Sequence, residues 1–70
     1  MVTILRSTTL KKGMMLETVK LAEKYYRTVL VDKYGQHVPW PDGREFSQHD
    51  NYIDAIVEHE EVARKLLKTF

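Results

Sequence analysis

Apolar residues recur at helical spacing in two stretches of this chain, residues 14–34 and 48–69. Spacings of three and four residues place side chains on one face of an α-helix, and that face must pack against another element. The pattern therefore predicts two amphipathic helices that close into an antiparallel hairpin. The first apolar face comprises Met15, Leu16, Val19, Ala22, Tyr26, Val29, Leu30 and Tyr34, and the second comprises Tyr52, Ile53, Ile56, His59, Ala63, Leu66, Leu67 and Phe70.

The first twelve residues favour an extended conformation instead. Residues 2–9 are rich in β-branched side chains, and Lys11, Lys12 and Gly13 end the run. A lone strand cannot satisfy its own backbone donors and acceptors. We therefore expect this arm, residues 1–12, to pair with another strand of the chain, with a second copy, or with the sheet edge of a partner.

The connection between the two predicted helices, residues 36–46, carries turn signals. Pro39 and Pro41 flank Trp40, and proline presets the backbone angle that a turn requires. Ser47 then predicts an N-cap for the second helix, with Asp50 three residues further on in the position of a capping box.

An alternative ends the first helix near Tyr26. The run Thr28–Val31 then forms a strand, residues 32–35 form a turn, and the chain returns through His37 and Val38. The leading prediction is a mainly α fold, with an N-terminal arm followed by a helix–loop–helix hairpin. With a β-hairpin at about 28–38, the fold becomes a small α+β domain.

The length of the chain predicts a single domain, residues 1–70, that gains stability from association. A chain of 70 residues buries a small core and is marginally stable unless disulfides, a metal or association adds to it. The sequence contains no cysteine, which excludes disulfides and thiolate metal sites. We therefore expect a partner protein, another copy of the chain, or both.

Charge and hydropathy argue against several classes of partner. The formal net charge is +1, so the chain has no general attraction to nucleic acids or acidic membranes. No apolar run approaches the ~20 residues of a membrane span, and the N-terminus lacks the pattern of a secretory signal. We expect a cytoplasmic protein with no membrane partner.

Surfaces left over after the hairpin closes predict where a partner binds. The first helix carries an apolar line away from its main face, and the second carries an acidic line. Trp40 either closes the open end of the hairpin or serves as an exposed anchor, a role typical of large aromatic residues. The predicted partner-binding residues are Met14, Leu21 and Tyr25 on the first helix, Trp40 in the loop, and Asp50, Asp54, Glu58 and Glu61 on the second helix. The extended arm Val2–Thr8 is predicted to contribute to the same surface.

A basic line on the first helix supports an alternative function, nucleic-acid binding. Lys20, Lys24 and Arg27 follow one another at helical spacing, with Lys11 and Lys12 upstream. Positive side chains arranged in this way can follow a phosphate backbone. Two glutamates interrupt the patch, however, and nucleic-acid binders usually show a clear basic excess.

No catalytic, metal or cofactor signature rises above chance. The three histidines lack His-x-x-x-His or Glu-x-x-His spacing, and the chain has neither a glycine-rich phosphate loop nor a Gly-x-Ser-x-Gly motif. We expect a non-enzymatic protein without cofactor or metal. It would act as an adaptor, inhibitor or regulatory subunit, of the kind common among viral and phage accessory proteins, and would bind a larger macromolecule.

Overall fold

The mainly α prediction is wrong, because the chain folds into an antiparallel sheet that is covered by one helix. The computed structural model describes residues 2–69. Met1, at the start of the predicted arm, and Phe70, predicted on the apolar face of the second helix, lie outside the described residues. The elements are β1 (Thr3–Thr9), a 3₁₀ turn (Lys11–Gly13), β2 (Met15–Ala22), β3 (Tyr25–Val31), β4 (His37–Val38), β5 (Phe46–His49) and α1 (Tyr52–Thr69).

Residues 14–34 form the β2–β3 hairpin where one helix was predicted. β-Branched residues occupy both strands, including Thr18, Val19 and Val29, and such side chains favour a pleated sheet. The two strands are joined by the two-residue loop Glu23–Lys24. This loop contains none of the glycine, asparagine or aspartate residues that favoured hairpin loops contain. The chain reversal therefore left no signal in the sequence.

The predicted arm pairs within its own chain. β1 pairs antiparallel with β2, and β2 pairs antiparallel with β3, so the first three strands form a meander. β4 and β5 both pair with the other edge of β3, one after the other. β4 lies opposite Leu30 and Val31, and β5 lies opposite residues 26–29.

The hairpin of the alternative prediction is present between β3 and β4. The Asp32 carboxylate accepts hydrogen bonds from the N–H groups of Tyr34 at 2.9 Å and Gln36 at 3.0 Å. Gly35 adopts a φ of 81°, a conformation that glycine reaches without steric cost. Local side-chain chemistry therefore closes this turn, as its residues predict.

The second predicted helix is present, but it begins at Tyr52, four residues later than predicted. Its N-cap is Asn51, whose side-chain oxygen accepts a hydrogen bond from the N–H of Asp54 at 2.8 Å. The Asn51 amide in turn donates to the Asp54 carboxylate at 2.8 Å, which holds the Asn51 side chain in its capping position. Ser47, the predicted cap, is instead a buried residue of β5.

The main apolar core lies between α1 and one end of the sheet. Trp40 closes it from the β4–β5 loop and is only 3% exposed, which places its indole in the closing position and not in that of an exposed anchor. The core cluster comprises Leu10, Leu16, Leu30, Trp40, Val62, Ala63 and Leu66. No helix within residues 2–69 has the length and apolar character needed to cross a membrane.

Candidate functional site

The sheet has two faces with different surroundings. α1 packs on one of them, which we call the covered face. The opposite side, which we call the open face, has no element packed on it within residues 2–69. The covered face includes Arg6, Thr8, Leu16, Thr18, Thr28, Leu30, Ser47 and His49, and the open face includes Val2, Ile4, Glu17, Val19, Leu21, Tyr25, Arg27, Val29, His37 and Phe46.

A buried polar chain occupies the middle of the covered face. His59 of α1 is fully buried, and its two ring nitrogens lie 2.8 Å from the hydroxyls of Thr8 and Thr18. The Thr18 hydroxyl lies 2.6 Å from that of Thr28. Three strands are thereby joined to the helix through one imidazole.

Only one direction of hydrogen-bond donation gives every buried hydroxyl and N–H proton of this polar network an acceptor among the described residues. The Thr28 hydroxyl donates to Thr18, Thr18 donates to Nδ1 of His59, and Nε2–H of His59 donates to Thr8. The reverse direction leaves the fully buried Thr28 hydroxyl proton without an acceptor, which costs about 1–3 kcal/mol. His59 is therefore the neutral Nε2–H tautomer.

The electrostatic environment also favours a neutral His59. Burial disfavours the imidazolium and lowers the pKa of His59 below its ordinary value, and the neighbouring Arg6 lowers it further. Glu60 opposes this effect, but it forms an ion pair with Arg6. With both nitrogens hydrogen-bonded and no exposed surface, this histidine holds the fold together and does not present a reactive group.

A second polar contact joins β5 to α1. His49 Nε2 lies 2.8 Å from a carboxylate oxygen of Glu58. Burial alone raises the pKa of Glu58, but the Ser47 hydroxyl and the His49 ring outweigh this effect, so the pKa lies below its ordinary value. Glu58 is therefore engaged within the fold and is not a free member of an acidic line.

The open face forms a shallow groove of about 240 Å³. Its floor contains the side chains of Val19 and Val29, which neighbouring side chains of the same face bury to 8% and 4% exposure. Its rim remains accessible: Ile4 is 57% exposed, and Val2 extends the rim beyond β1. Phe46 is 39% exposed and lines an adjoining cavity that shares Arg27 and His37 with the groove. This face is therefore apolar and concave, although the helix does not cover it.

Arg27 is the central charged group of the open face. Its guanidinium lies 4.1 Å from the ring centre of Phe46 and 5.4 Å from that of Tyr25, and it donates to the Tyr25 hydroxyl. Its Nε is buried and has no hydrogen-bond partner among the described residues. Glu17 lies diagonally across from it on β2, because Glu17 pairs with Val29 in the register that pairs Val19 with Arg27.

The predicted partner-binding residues do not form one surface. Leu21 and Tyr25 share the open face. Met14 packs against the main core and Trp40 lies within it. The acidic line is divided: Asp50 and Asp54 lie around the helix N-cap, Glu58 binds His49, and Glu61 lies on the exposed side of α1 beside Arg64 and Lys65.

The residues of the predicted basic line also do not lie on one surface. Lys11 and Lys12 lie in the 3₁₀ turn before β2, whereas Lys20 lies near the far end of β2 and Lys24 lies in the loop beyond it. At about 3.3 Å per residue, the eight residues of β2 separate these two pairs by roughly 25 Å. Arg27 belongs to neither pair and lies on the open face.

The predicted binding surface included Val2 and Ile4 through the arm Val2–Thr8, but sequence reasoning missed two other residues of the open face, Val29 and Phe46. The signal that reveals them is the alternation of apolar and polar residues along β2, with Val19 and Leu21 on one side and Thr18 and Lys20 on the other. Read with a period of two, these residues indicate a strand with two unlike faces.

The described part of the chain contains no group of three or more histidine or carboxylate side chains placed to hold a metal ion. Comparison of the chain with protein-family models, with curated proteins and with solved structures finds no match.

Proposed function

We propose that this chain is a small non-enzymatic protein–protein interaction module, and that the open face is its binding surface. The observation that supports this proposal is the one-sided cover of the sheet. α1 packs on the covered face, while the open face keeps an apolar groove with an exposed rim. Concave apolar surfaces rimmed by polar groups are typical of protein interaction sites.

The dimensions of the groove fit side chains of another protein better than a small molecule. Its volume of about 240 Å³ lies below the ~300 Å³ at which small-molecule pockets begin, and the adjoining cavity beside Phe46 is only about 310 Å³. The accessible rim residues Ile4 and Phe46 would each contribute about 1 kcal/mol on burial, since full burial of such a side chain is worth about 1.5–3 kcal/mol.

The composition of the open face also resembles the centre of a protein interface. Such centres are depleted in charge and enriched in aromatic residues and arginine. Phe46, Tyr25 and Arg27 supply these residue types. Within residues 2–69, Glu17 is the one carboxylate that lines the groove, and Glu45 lines the adjoining cavity beside Phe46. The partner would be a larger macromolecule or a second copy of the chain, and the module would act as an adaptor, inhibitor or regulatory subunit. The cysteine-free composition favours a cytoplasmic setting.

Charge insertion on the open face tests this function. Ile4→Glu and Phe46→Glu place a carboxylate on the rim of the groove, whereas Ile53→Glu places one on α1 at a side chain that is 70% exposed. Affinity-tagged proteins would be incubated with lysate of the source cells, and the bound proteins would be quantified by mass spectrometry. We expect one partner that both open-face variants lose and Ile53→Glu retains.

Circular dichroism would verify that all three variants keep the fold. Equal capture of that partner by all variants, or its loss with Ile53→Glu alone, would move the binding surface away from the open face.

A second candidate function is binding of single-stranded nucleic acid on the same face. The observation that favours it is the guanidinium of Arg27 between Tyr25 and Phe46. Bases stack on aromatic rings and arginine planes of open sheet surfaces. The formal net charge of +1 and the carboxylate of Glu17 beside the groove weigh against a polyanion.

Salt dependence separates the two functions. Binding of fluorescently labelled oligonucleotides would be followed by anisotropy at increasing salt, with Arg27→Gln as the open-face variant and Lys24→Gln as the loop control. Nucleic-acid binding requires an affinity that falls steeply with salt and that Arg27→Gln weakens more than Lys24→Gln does. No change in anisotropy at low salt would remove this candidate.

A further inference from the structure

We propose that the occupant of the open face is a second copy of this chain, packed face to face, with Glu17 of each copy paired with Arg27 of the other. This inference rests on the proposed function and names the partner of the same surface. It follows from the charge pattern of the face, its symmetry and its area.

The two charged groups are placed for an intermolecular pair. Glu17 and Arg27 are diagonal neighbours on β2 and β3, a separation of about 7–8 Å between backbones. Within the described residues they form no ion pair with each other, because the Arg27 guanidinium lies against Phe46 and Tyr25. Both side chains are half-buried, so a facing charge would meet them in a poorly solvated setting.

Symmetry turns this arrangement into a self-complementary face. A two-fold axis that lies between two facing sheets, perpendicular to the line from Glu17 to Arg27, places each residue opposite the other in the second copy. One isologous contact therefore creates two ion pairs. A face that carries one carboxylate and one guanidinium is complementary to itself, whereas a strongly acidic or basic partner would leave one of the two groups facing a like charge.

The apolar residues of the face would be buried by the same contact. Val2, Ile4, Leu21 and Phe46 surround the charged pair, and the valines beneath already exclude water from the floor. Two sheets that pack face to face lie about 10 Å apart and interdigitate such side chains. The contact therefore resembles the interior of a β-sandwich that is divided between two chains.

The area of the face sets the strength of the dimer. Strands of seven to eight residues and a sheet four strands wide give roughly 25 Å by 19 Å at ordinary spacings. The footprint is then about 500 Å² per copy, or about 1,000 Å² in total, which is the lower limit for a specific interface. We therefore expect a weak dimer that dissociates on dilution.

Charge reversal with complementation tests this proposal. Sedimentation velocity of the wild type over a wide concentration range should show a reversible shift from monomer to dimer. Glu17→Arg gives a face with two positive charges and Arg27→Glu gives one with two negative charges, so each variant alone should remain monomeric. An equimolar mixture of the two variants should associate again, and so should the double variant, whose swapped charges restore the pairs.

Lys24→Glu is the matched control, because Lys24 is an exposed charge in the β2–β3 loop. It should dimerise like the wild type. If a reversal variant fails to fold by circular dichroism, methyl NMR of the wild type decides instead. Resonances of Ile4, Val19 and Val29 should shift with concentration, while those of Ile53 and Val57 on α1 should not.

Two results would overturn the dimer. One is a wild type that stays monomeric up to millimolar concentration, and the other is a mixture of the two reversal variants that does not associate. The proposed function has a separate outcome: a monomeric protein that still loses a different captured protein with Ile4→Glu and Phe46→Glu keeps the open face as a binding surface and excludes only the second copy.

Discussion

In the middle of the sheet, beside the apolar core at one end, the two faces reverse the usual distribution of polar and apolar side chains. The covered face, where a helix packs, carries the buried hydroxyls of Thr18 and Thr28 together with the His59 imidazole. The open face, which no other element of the described chain covers, carries Val19 and Val29 at its centre. A monomer that optimised its own core alone would place the valines under the helix.

This difference separates two ways of using a surface. In the middle of the covered face, the His59 ring and the hydroxyls of Thr8, Thr18 and Thr28 hydrogen-bond to one another, and this connected network fixes the helix at one position on the sheet. The open face has no such hydrogen-bonded network among the described residues, and its apolar rim is exposed. The covered face therefore stabilises the fold, and the open face remains accessible for binding.

Truncation of His59 should have the largest effect on stability. His59→Ala leaves a cavity at the fully buried centre of the covered face and removes the partners of Thr8 and Thr18. We expect the free energy of unfolding to fall by about 3 kcal/mol, as measured by urea denaturation. Ile4→Ala on the open face should cost less than about 1 kcal/mol. Equal losses would show that the two faces do not differ in this way.

Removal of a single hydroxyl should have the next largest effect. Thr18→Val keeps the shape of the side chain but leaves the Nδ1 of His59 without its donor, so we expect a loss of about 1–2 kcal/mol in the same denaturation experiment. Thr18→Ser keeps the hydroxyl and should retain the hydrogen bonds, apart from the lost methyl group. A neutral or stabilising valine would mean that the polar chain contributes little to the covered face.

The covered face should also make stability depend on pH. The pKa of His59 is lower in the folded chain than in the unfolded chain, so the unfolded state binds more protons. The stability from the neutral imidazole is complete above pH 6.5 and declines as the pH falls below it, towards the lower folded pKa. Glu58 adds a second decline below pH 4.5, because its folded pKa is also lowered.

Urea denaturation at a series of pH values would measure both declines. We expect His59→Gln, which keeps a polar side chain in the network, to reduce the decline just below pH 6.5 and to leave the one below pH 4.5. An unchanged profile would show that His59 is not the group that titrates.

The β2–β3 loop offers the smallest effect, and a gain. Lys24 adopts a φ of 57°, which is unfavourable for a side chain with a Cβ atom. Lys24→Gly relieves this strain and should raise the free energy of unfolding by up to about 1 kcal/mol, a few degrees in a thermal melt. Because this loop lies beyond both faces, partner capture should stay unchanged. A destabilised variant would mean that the lysine side chain stabilises the loop.

Parts of this fold could be predicted because their signals are local. The β3–β4 hairpin follows from Asp32 and Gly35, which close its turn through their own side-chain and backbone chemistry. α1 follows from its apolar spacing, although its cap is Asn51 and not Ser47. The residues of β1 likewise favour a strand.

The β2–β3 hairpin could not be predicted with the same reasoning. The Glu23–Lys24 loop has an ordinary sequence, and its positive φ is stabilised by pairing along the two strands instead of by a local preference. When the chain reversal at this loop is not recognised, the apolar residues of β2 and β3 fall by coincidence at spacings of three and four. They then imitate one amphipathic helix, although they lie on both faces of the sheet. Leu21, Tyr25 and the arm with Ile4 were predicted to belong to the binding surface, but Val29 and Phe46 join them only through tertiary structure.

The difference between the two faces can be measured most directly by site-specific photo-crosslinking. A photoreactive residue would be introduced separately at Ile4 and Phe46 on the open face and at Ile53 and Val57 on α1, all of them exposed. We expect a discrete adduct, with a second copy or with another protein, from the two open-face positions only. Adducts from the helix positions, with none from Ile4 and Phe46, would contradict the assignment of the open face as the binding surface.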